Sequence, residues 1–185
     1  MSQLKAYHRP TTVNEALQLL GQPSVRTAVV AGGTYIVPRL DETVEAVVDL
    51  QAVGLARLSA DNQSLTAGAM VTLQTLVNSD ETPPLLREAI LYEGPNTFRH
   101  VGTVGGSIIA ANKESEFVAA LLVFEAQVTL QTLNGSKILS LADFLKDVPS
   151  ALEGGLITAV SMATGGETAS ARVARTPMDS PIVAA

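Results

Sequence analysis

Two glycine pairs, each beside a hydroxyl residue, are the feature of this sequence that could do chemistry. The first lies in Ala31-Gly32-Gly33-Thr34-Tyr35, directly after an apolar run, and the second in the segment 102–107. Glycine permits positive φ and has no Cβ, so backbone N–H groups can converge on an anion at short range. Two such loops could hold both phosphates of a dinucleotide without a lysine. Paired glycines also make ordinary turns and bulges, and the residues alone leave both interpretations open.

Most other catalytic arrangements are missing from the sequence. The chain has no cysteine, which excludes disulfides and cysteine-ligated zinc or iron–sulfur centres within it. Its two histidines, His8 and His100, lie far apart and lack metal-ligand spacing. The glycine-rich nucleotide-binding motifs of dehydrogenases and P-loop proteins are absent, and so is the serine-nucleophile motif. Redox chemistry would therefore need a cofactor to carry it.

Composition and charge narrow the class of protein further. The 185 residues suit one domain or two small subdomains, and 46% of them are hydrophobic, which is enough for a buried core. The net charge of -6 and the absence of a basic stripe argue against nucleic-acid binding. No apolar run reaches the roughly 18 residues of a membrane span, and the first residues lack a signal-peptide pattern. A cytoplasmic location is therefore expected.

The first glycine pair is expected to lie in a small parallel α/β unit. Thr12 and Glu15 form a capping box that predicts the start of a helix. Residues 26–31 and 45–50 are typical of buried strands, and the first of these runs into Gly32. A helix between parallel strands is the pattern of an α/β unit.

The second glycine pair falls in a region that predicts a larger, mostly antiparallel α+β unit. Residues 94–107 themselves are expected to be glycine-rich and irregular. The other expected elements are a hairpin turning at Asp61-Asn62, a helix capped by Thr72, a helix from Pro83-Pro84, a helix over 115–124, a hairpin at Asn134-Gly135, a helix capped by Ser140, and closing strands at 156–162 and 171–175.

The order of these motifs resembles the FAD-binding domain of xanthine dehydrogenase and of the medium subunits of carbon monoxide dehydrogenase and related molybdenum hydroxylases. Each motif alone is weak, but their order and spacing are specific, and the resemblance covers nearly all of residues 1–176. The similar segments are 7–12 with 15–20, 31–34 with Pro38, 48–50, 68–72 and 99–108.

The resemblance implies a two-subdomain α+β fold of the vanillyl-alcohol-oxidase or PCMH type. Its parts would be a parallel α/β subdomain at 1–54, a mostly antiparallel subdomain at 55–176, and a tail at 177–185 that joins a missing C-terminal domain. FAD would lie between the subdomains. The implied cofactor contacts are Ala31, Gly32, Gly33, Thr34, Tyr35, Thr103, Gly105, Gly106, Ser107 and Glu116.

The same resemblance implies an oxidoreductase subunit that transfers electrons, with no side chain acting as acid or base. The implied partners are an iron–sulfur small subunit and a molybdopterin large subunit, with NAD+ or another molecule as acceptor, and a homodimer is left open. Two departures matter. Ser107 replaces the usual asparagine, and the segment 112–116 lacks its usual proline and has Glu116 in place of an aspartate.

Two alternatives stay open at this point. One is a module that keeps the fold, has lost the flavin and serves assembly. The other is a vanillyl-alcohol-oxidase-type enzyme that oxidises a substrate directly. It ranks last, because the chain shows no substrate domain and has no cysteine for a covalent flavin link.

Overall fold

A three-stranded parallel sheet forms the N-terminal part of the protein. The computed structural model describes residues 4–176, 179 and 181–184. Strands β1 (Ala6–His8), β2 (Thr27–Val30) and β3 (Ala46–Asp49) lie in the order β1-β3-β2, and both neighbouring pairs are parallel. Every residue of the central strand β3 is buried. The predicted parallel α/β unit is therefore confirmed.

Helix α1 (Val13–Leu20) connects β1 to β2 and begins as its sequence predicts. Thr12 Oγ1 accepts a hydrogen bond from the N–H of Glu15, and the Glu15 carboxylate accepts one from the N–H of Thr11. Ala16 and Leu17 on its inner face are buried. The cap thus satisfies N–H groups that the helix itself cannot pair, while the apolar face anchors it to the sheet.

A five-stranded antiparallel sheet forms the rest of the core. It contains β4 (Leu58–Ala60), β5 (Ser64–Gly68), β6 (Gln127–Thr132), β7 (Gly135–Ser140) and β8 (Leu156–Ala163), in the order β4-β5-β8-β6-β7. The hairpins predicted at Asp61-Asn62 and Asn134-Gly135 are both confirmed. Together the two sheets confirm the predicted α+β class, while the domain division between residues 54 and 55 stays a prediction.

Seven α-helices of the described part of the chain accompany this sheet: α2 (Leu73–Asn78), α3 (Pro84–Glu93), α4 (Asn96–Val101), α5 (Val104–Ala110), α6 (Glu116–Val123), α7 (Leu141–Lys146) and α8 (Val148–Leu152). Phe117, Phe144, Leu130 and Ile108 are among the side chains that form one continuous core between helices and sheet. None of the helices within the described residues is long and apolar enough to cross a membrane.

Two sequence expectations are wrong. Residues 94–107 are largely helical rather than irregular, because α4 and α5 occupy most of the segment and Gly105 lets α5 pack closely against Ala69. Strand β9 (Arg172–Val173) does not close the large sheet but pairs with β10 (Val183–Ala184). The predicted junction at 177–185 includes residues 177, 178, 180 and 185, which lie outside the described residues.

Candidate functional site

The two glycine loops meet in space. A Cβ on Gly32 would lie 1.8 Å from the carbonyl oxygen of Val101, at the end of α4, so no side chain fits there. On the other side, a Cβ on Gly106 would lie 3.9 Å from the Cβ of Ala31. The N-terminal unit and the helical region therefore contact each other through these loops, as a shared cleft requires.

The first loop leaves a row of backbone donors unused. Gly33 has a φ of +73°, which turns the chain sharply after β2 and favours glycine at this position. The four N–H groups from Gly32 to Tyr35 donate no hydrogen bond to any described residue, and the Thr34 hydroxyl is equally without a partner there. Consecutive free N–H groups beside a glycine turn form an anion-binding concavity.

The second loop is built differently from the first. Thr103 caps α5, and its hydroxyl accepts the N–H of Gly106 at 3.2 Å. The N–H of Gly105 donates to the carbonyl of Ala69 at 2.9 Å, and a Cβ on Gly105 would lie 2.9 Å from the Cβ of Ala69. The N–H groups of both glycines are therefore already paired within the protein, unlike those of the first loop. Gly105 is required for close packing against Ala69. The second loop therefore lines the cavity without offering a row of free N–H donors.

An apolar cavity of about 330 Å³ lies against both loops. Gly32, Gly33, Thr34, Gly105 and Gly106 are among the residues that line it. Its remaining wall is mostly aliphatic and includes Val29, Ile36, Leu50, Met70, Leu156 and Ile157. A concave, mainly apolar site with a few polar groups at one end is the usual form of a cofactor site.

A polar cavity of about 260 Å³ adjoins it and shares Thr34, Tyr35 and Gly106 with the apolar cavity. Its other polar lining residues are Arg39, Glu93, Ser107 and Asn112. Ser107 is only 6% exposed, and its hydroxyl has no hydrogen-bond partner. An unpaired buried hydroxyl is costly, so its position in this wall suits a site that a polar ligand completes.

Glu93 is a partly buried acid in the wall of the polar cavity. Its carboxylate accepts hydrogen bonds from the Ser115 hydroxyl, at 2.9 and 3.0 Å, and from the N–H of Phe117 at 3.1 Å. Burial raises the pKa of Glu93, and the charge of Glu116 adds to this, while the two hydrogen-bond donors oppose it. Neither Glu93 nor Arg39 was expected from the sequence. The only signal for Arg39 in the sequence is its position four residues after Tyr35, close to the first glycine loop.

Glu116 lines neither of these cavities, although it borders a third, of about 230 Å³, that shares Glu93 and Asn112 with the polar cavity. Its carboxylate pairs with the Arg172 guanidinium at 2.7 Å, and the two side chains are 12% and 15% exposed. Arg172 also lies over the ring of Tyr92, 4.4 Å from the centroid. The structure thus brings together nine of the ten predicted contacts and directs the tenth toward β9. A contact between Glu116 and a cofactor stays a prediction, which this placement does not support.

The sequence agrees with a known family over most of its length. Residues 2–162 match the model of the family described as the FAD binding domain in molybdopterin dehydrogenase. The chain belongs to this family. The resemblance expected from the motif order is confirmed, and FAD is the cofactor for which the family is named.

Relatives and solved structures support the same assignment. The alpha subunit of the 6-hydroxypseudooxynicotine dehydrogenase complex of Paenarthrobacter nicotinovorans is 32% identical over 160 residues, covering 82% of this chain and 54% of that protein. The carbon monoxide dehydrogenase medium chain of Afipia carboxidovorans is 28% identical over 163 residues, covering 83% and 57%. A solved carbon monoxide dehydrogenase from Oligotropha carboxidovorans matches with a TM-score of 0.83 at 25% identity, covering 97% of this chain and 67% of that chain. The chain spans about half the length of the curated relatives it matches.

Proposed function

We propose that this chain binds FAD with its diphosphate on the loop from Gly32 to Tyr35, and that it transfers electrons within a molybdenum-hydroxylase-type dehydrogenase. The observation that supports this most directly is the row of four free N–H groups in the loop that lines a cavity of about 330 Å³. Bound FAD would supply the electron-transfer chemistry that no side chain of this chain can perform.

The two cavities differ in a way that suits the two ends of this cofactor. Adenine has extended apolar faces, so the aliphatic cavity beside Leu50 and Ile157 suits the adenosine half. The ribityl chain and the flavin ring carry more hydrogen-bonding groups, which suit the polar cavity with Ser107 and Asn112. The diphosphate would then lie where the cavities meet, at Thr34 and Gly106. The chain's own residues bind and orient the cofactor, and none needs to move a proton.

The wider role rests on the relatives. Their names describe a subunit of a complex and a medium chain, which supports assembly with further subunits. We therefore propose an iron–sulfur small subunit as electron donor, a molybdopterin large subunit as the site of substrate oxidation, and NAD+ or another molecule as acceptor. A cytoplasmic location and self-association as a dimer are further proposals of the same kind.

Equilibrium titration of the purified chain with FAD tests the proposal. The informative variant is Gly33→Ala, because Gly33 has positive φ within the donor loop. The matched control is Gly54→Ala, because Gly54 has a similar φ of +78°, lies outside both cavities and has open space around it. We expect uptake by the wild type and by Gly54→Ala, with weaker uptake by Gly33→Ala. A wild-type chain that stays colourless and binds no FAD would remove the proposal.

A flavin-free assembly module is the second candidate. The ion pair of Glu116 with Arg172 favours this candidate, because the carboxylate that the resemblance assigns to the flavin already has a partner within the protein. This alternative predicts no FAD uptake in the same titration, together with co-purification of a molybdopterin-type subunit.

A further inference from the structure

Arg39 is the one cationic side chain among the described residues that line either cavity. This matters if FAD binds as proposed above, because the diphosphate would bring negative charge into a chain whose net charge is already -6. Free N–H groups supply partial charges only. A full positive charge near the diphosphate would offset this repulsion.

The present contacts of Arg39 leave its charge available. Its guanidinium lies over the ring of Tyr35, 4.4 Å from the centroid, and Nη1 donates to the Tyr35 carbonyl oxygen at 3.1 Å. No described carboxylate lies within 4.0 Å of it, although Glu93 lines the same cavity. Lys5, Arg9, Arg26, Lys137, Lys146 and Arg172 each have an acidic partner.

The location of Arg39 connects it to the donor loop. It ends the 3₁₀ turn Val37–Arg39, which directly follows that loop, so the side chain emerges beside Thr34 and Tyr35. Ser107 lies in the same polar cavity, and its buried hydroxyl has no partner. A cation without an acid and a buried donor without an acceptor therefore face one cavity, next to the row of free N–H groups.

We propose that Arg39 is the cation that neutralises the bound diphosphate, with the Ser107 hydroxyl as the buried donor beside it. On binding, the guanidinium exchanges its contact with the Tyr35 ring for a phosphate oxygen. A planar guanidinium presents its donors in a fork that matches phosphate geometry. A cation–π contact at an exposed site is the weaker of the two interactions, so the exchange is favourable.

The test compares Arg39→Gln and Arg39→Lys with Arg26→Gln as a matched control. Arg26 is an exposed cation that pairs with Asp41 at 3.5 Å and lies outside both cavities. FAD is titrated into each folded variant at about 0.05 M and about 0.5 M salt, because exposed charge interactions weaken with ionic strength. We expect Arg39→Gln to lose about tenfold in FAD affinity at low salt and distinctly less at high salt.

Arg39→Lys keeps the charge but not the fork, so its affinity should lie between those of the wild type and Arg39→Gln. Arg26→Gln should match the wild type. The inference is overturned if Arg39→Gln binds FAD as Arg26→Gln does, or if its loss is the same at both salt concentrations, which would indicate a packing effect. If the wild type itself binds no FAD, the proposed function and this inference both fail. That outcome is distinguishable from the two above, in which the wild type binds FAD and only the role of Arg39 is refuted.

Discussion

The carboxylate of Glu93, the last residue of α3, accepts the N–H of Phe117 at 3.1 Å and so caps helix α6 from another helix. Ser115, the N-cap residue of α6, donates its hydroxyl to the same carboxylate. One acidic side chain therefore joins two helices beside the polar cavity. Its burial has consequences for the pH dependence of stability.

The free energy of unfolding should fall as the pH rises above about 4.5, because of Glu93. Burial raises its pKa from the ordinary value of 4.5 in the folded protein, while the unfolded carboxyl titrates near that value. Between the two pKa values the folded state binds more protons than the unfolded state, so stability decreases with increasing pH. Above the folded pKa the loss is complete and constant.

Glu93→Gln should remove this slope, since an amide does not titrate but still offers an oxygen to Phe117. The measurement is urea unfolding from about pH 4 to about pH 8, with exposed Glu81→Gln as control. The pKa values of Asp41, Asp61, Asp143 and Asp147 are lowered from 3.8, so their stabilisation is lost only at lower pH. Parallel curves for the wild type and Glu93→Gln would refute the assignment.

Arg172→Gln should reduce the free energy of unfolding by about 2 kcal/mol, because it leaves the largely buried Glu116 carboxylate without its partner. Lys146→Gln is the control, because it breaks an exposed, solvent-screened pair with Asp143 and should cost distinctly less. Chemical denaturation measures both. Equal effects of the two substitutions would argue against a structural role for the Glu116 pair.

Glu116→Gln separates the structural role of this residue from the cofactor contact that its position in the sequence suggests. Because Glu116 lies outside both cavities, we expect its FAD affinity to stay within about twofold of the wild type. A loss of about tenfold or more would instead restore Glu116 as a flavin contact.

Ser107→Ala should have opposite effects on the free and the FAD-bound protein. Without FAD it removes an unsatisfied buried hydroxyl, so unfolding free energy should stay constant or rise by up to about 1 kcal/mol. FAD affinity should fall, because the cofactor loses a donor. Thr82→Val is the control, since the Thr82 hydroxyl is also buried and unpaired but lines neither cavity. A loss of FAD affinity in both variants would show that the effect is not local.

Gly105→Ala should destabilise the fold by about 1–3 kcal/mol, because the added methyl group would meet the Cβ of Ala69 at 2.9 Å. The double variant Ala69→Gly with Gly105→Ala should recover part of this loss, since it removes the opposing Cβ. Thermal unfolding of the two single variants and the double variant gives the coupling between the sites. Purely additive effects would contradict direct packing of these residues.

Sequence alone predicts the elements whose determinants are neighbours in the chain. The Thr12 and Glu15 cap, the Asn134-Gly135 hairpin and the turn at Gly33 depend on residues within a few positions of one another. Their conformations follow from local hydrogen bonds and from the φ values that glycine permits. The same local motifs, in their order, also indicated the family and the first donor loop.

Only the tertiary structure decided which donors of the site are free and which are used. Glycines at 102, 105 and 106 lower helix propensity, so residues 94–107 suggest irregular chain, yet packing against Ala69 stabilises α5 and occupies the Gly105 N–H. Glu93 reaches Phe117 across 24 positions, and Arg172 reaches Glu116 across 56. Such partners depend on how separate elements pack in space. For this reason the sequence predicted Glu116 as a site residue, whereas in the structure Arg39 and Glu93 line the polar cavity and Glu116 does not.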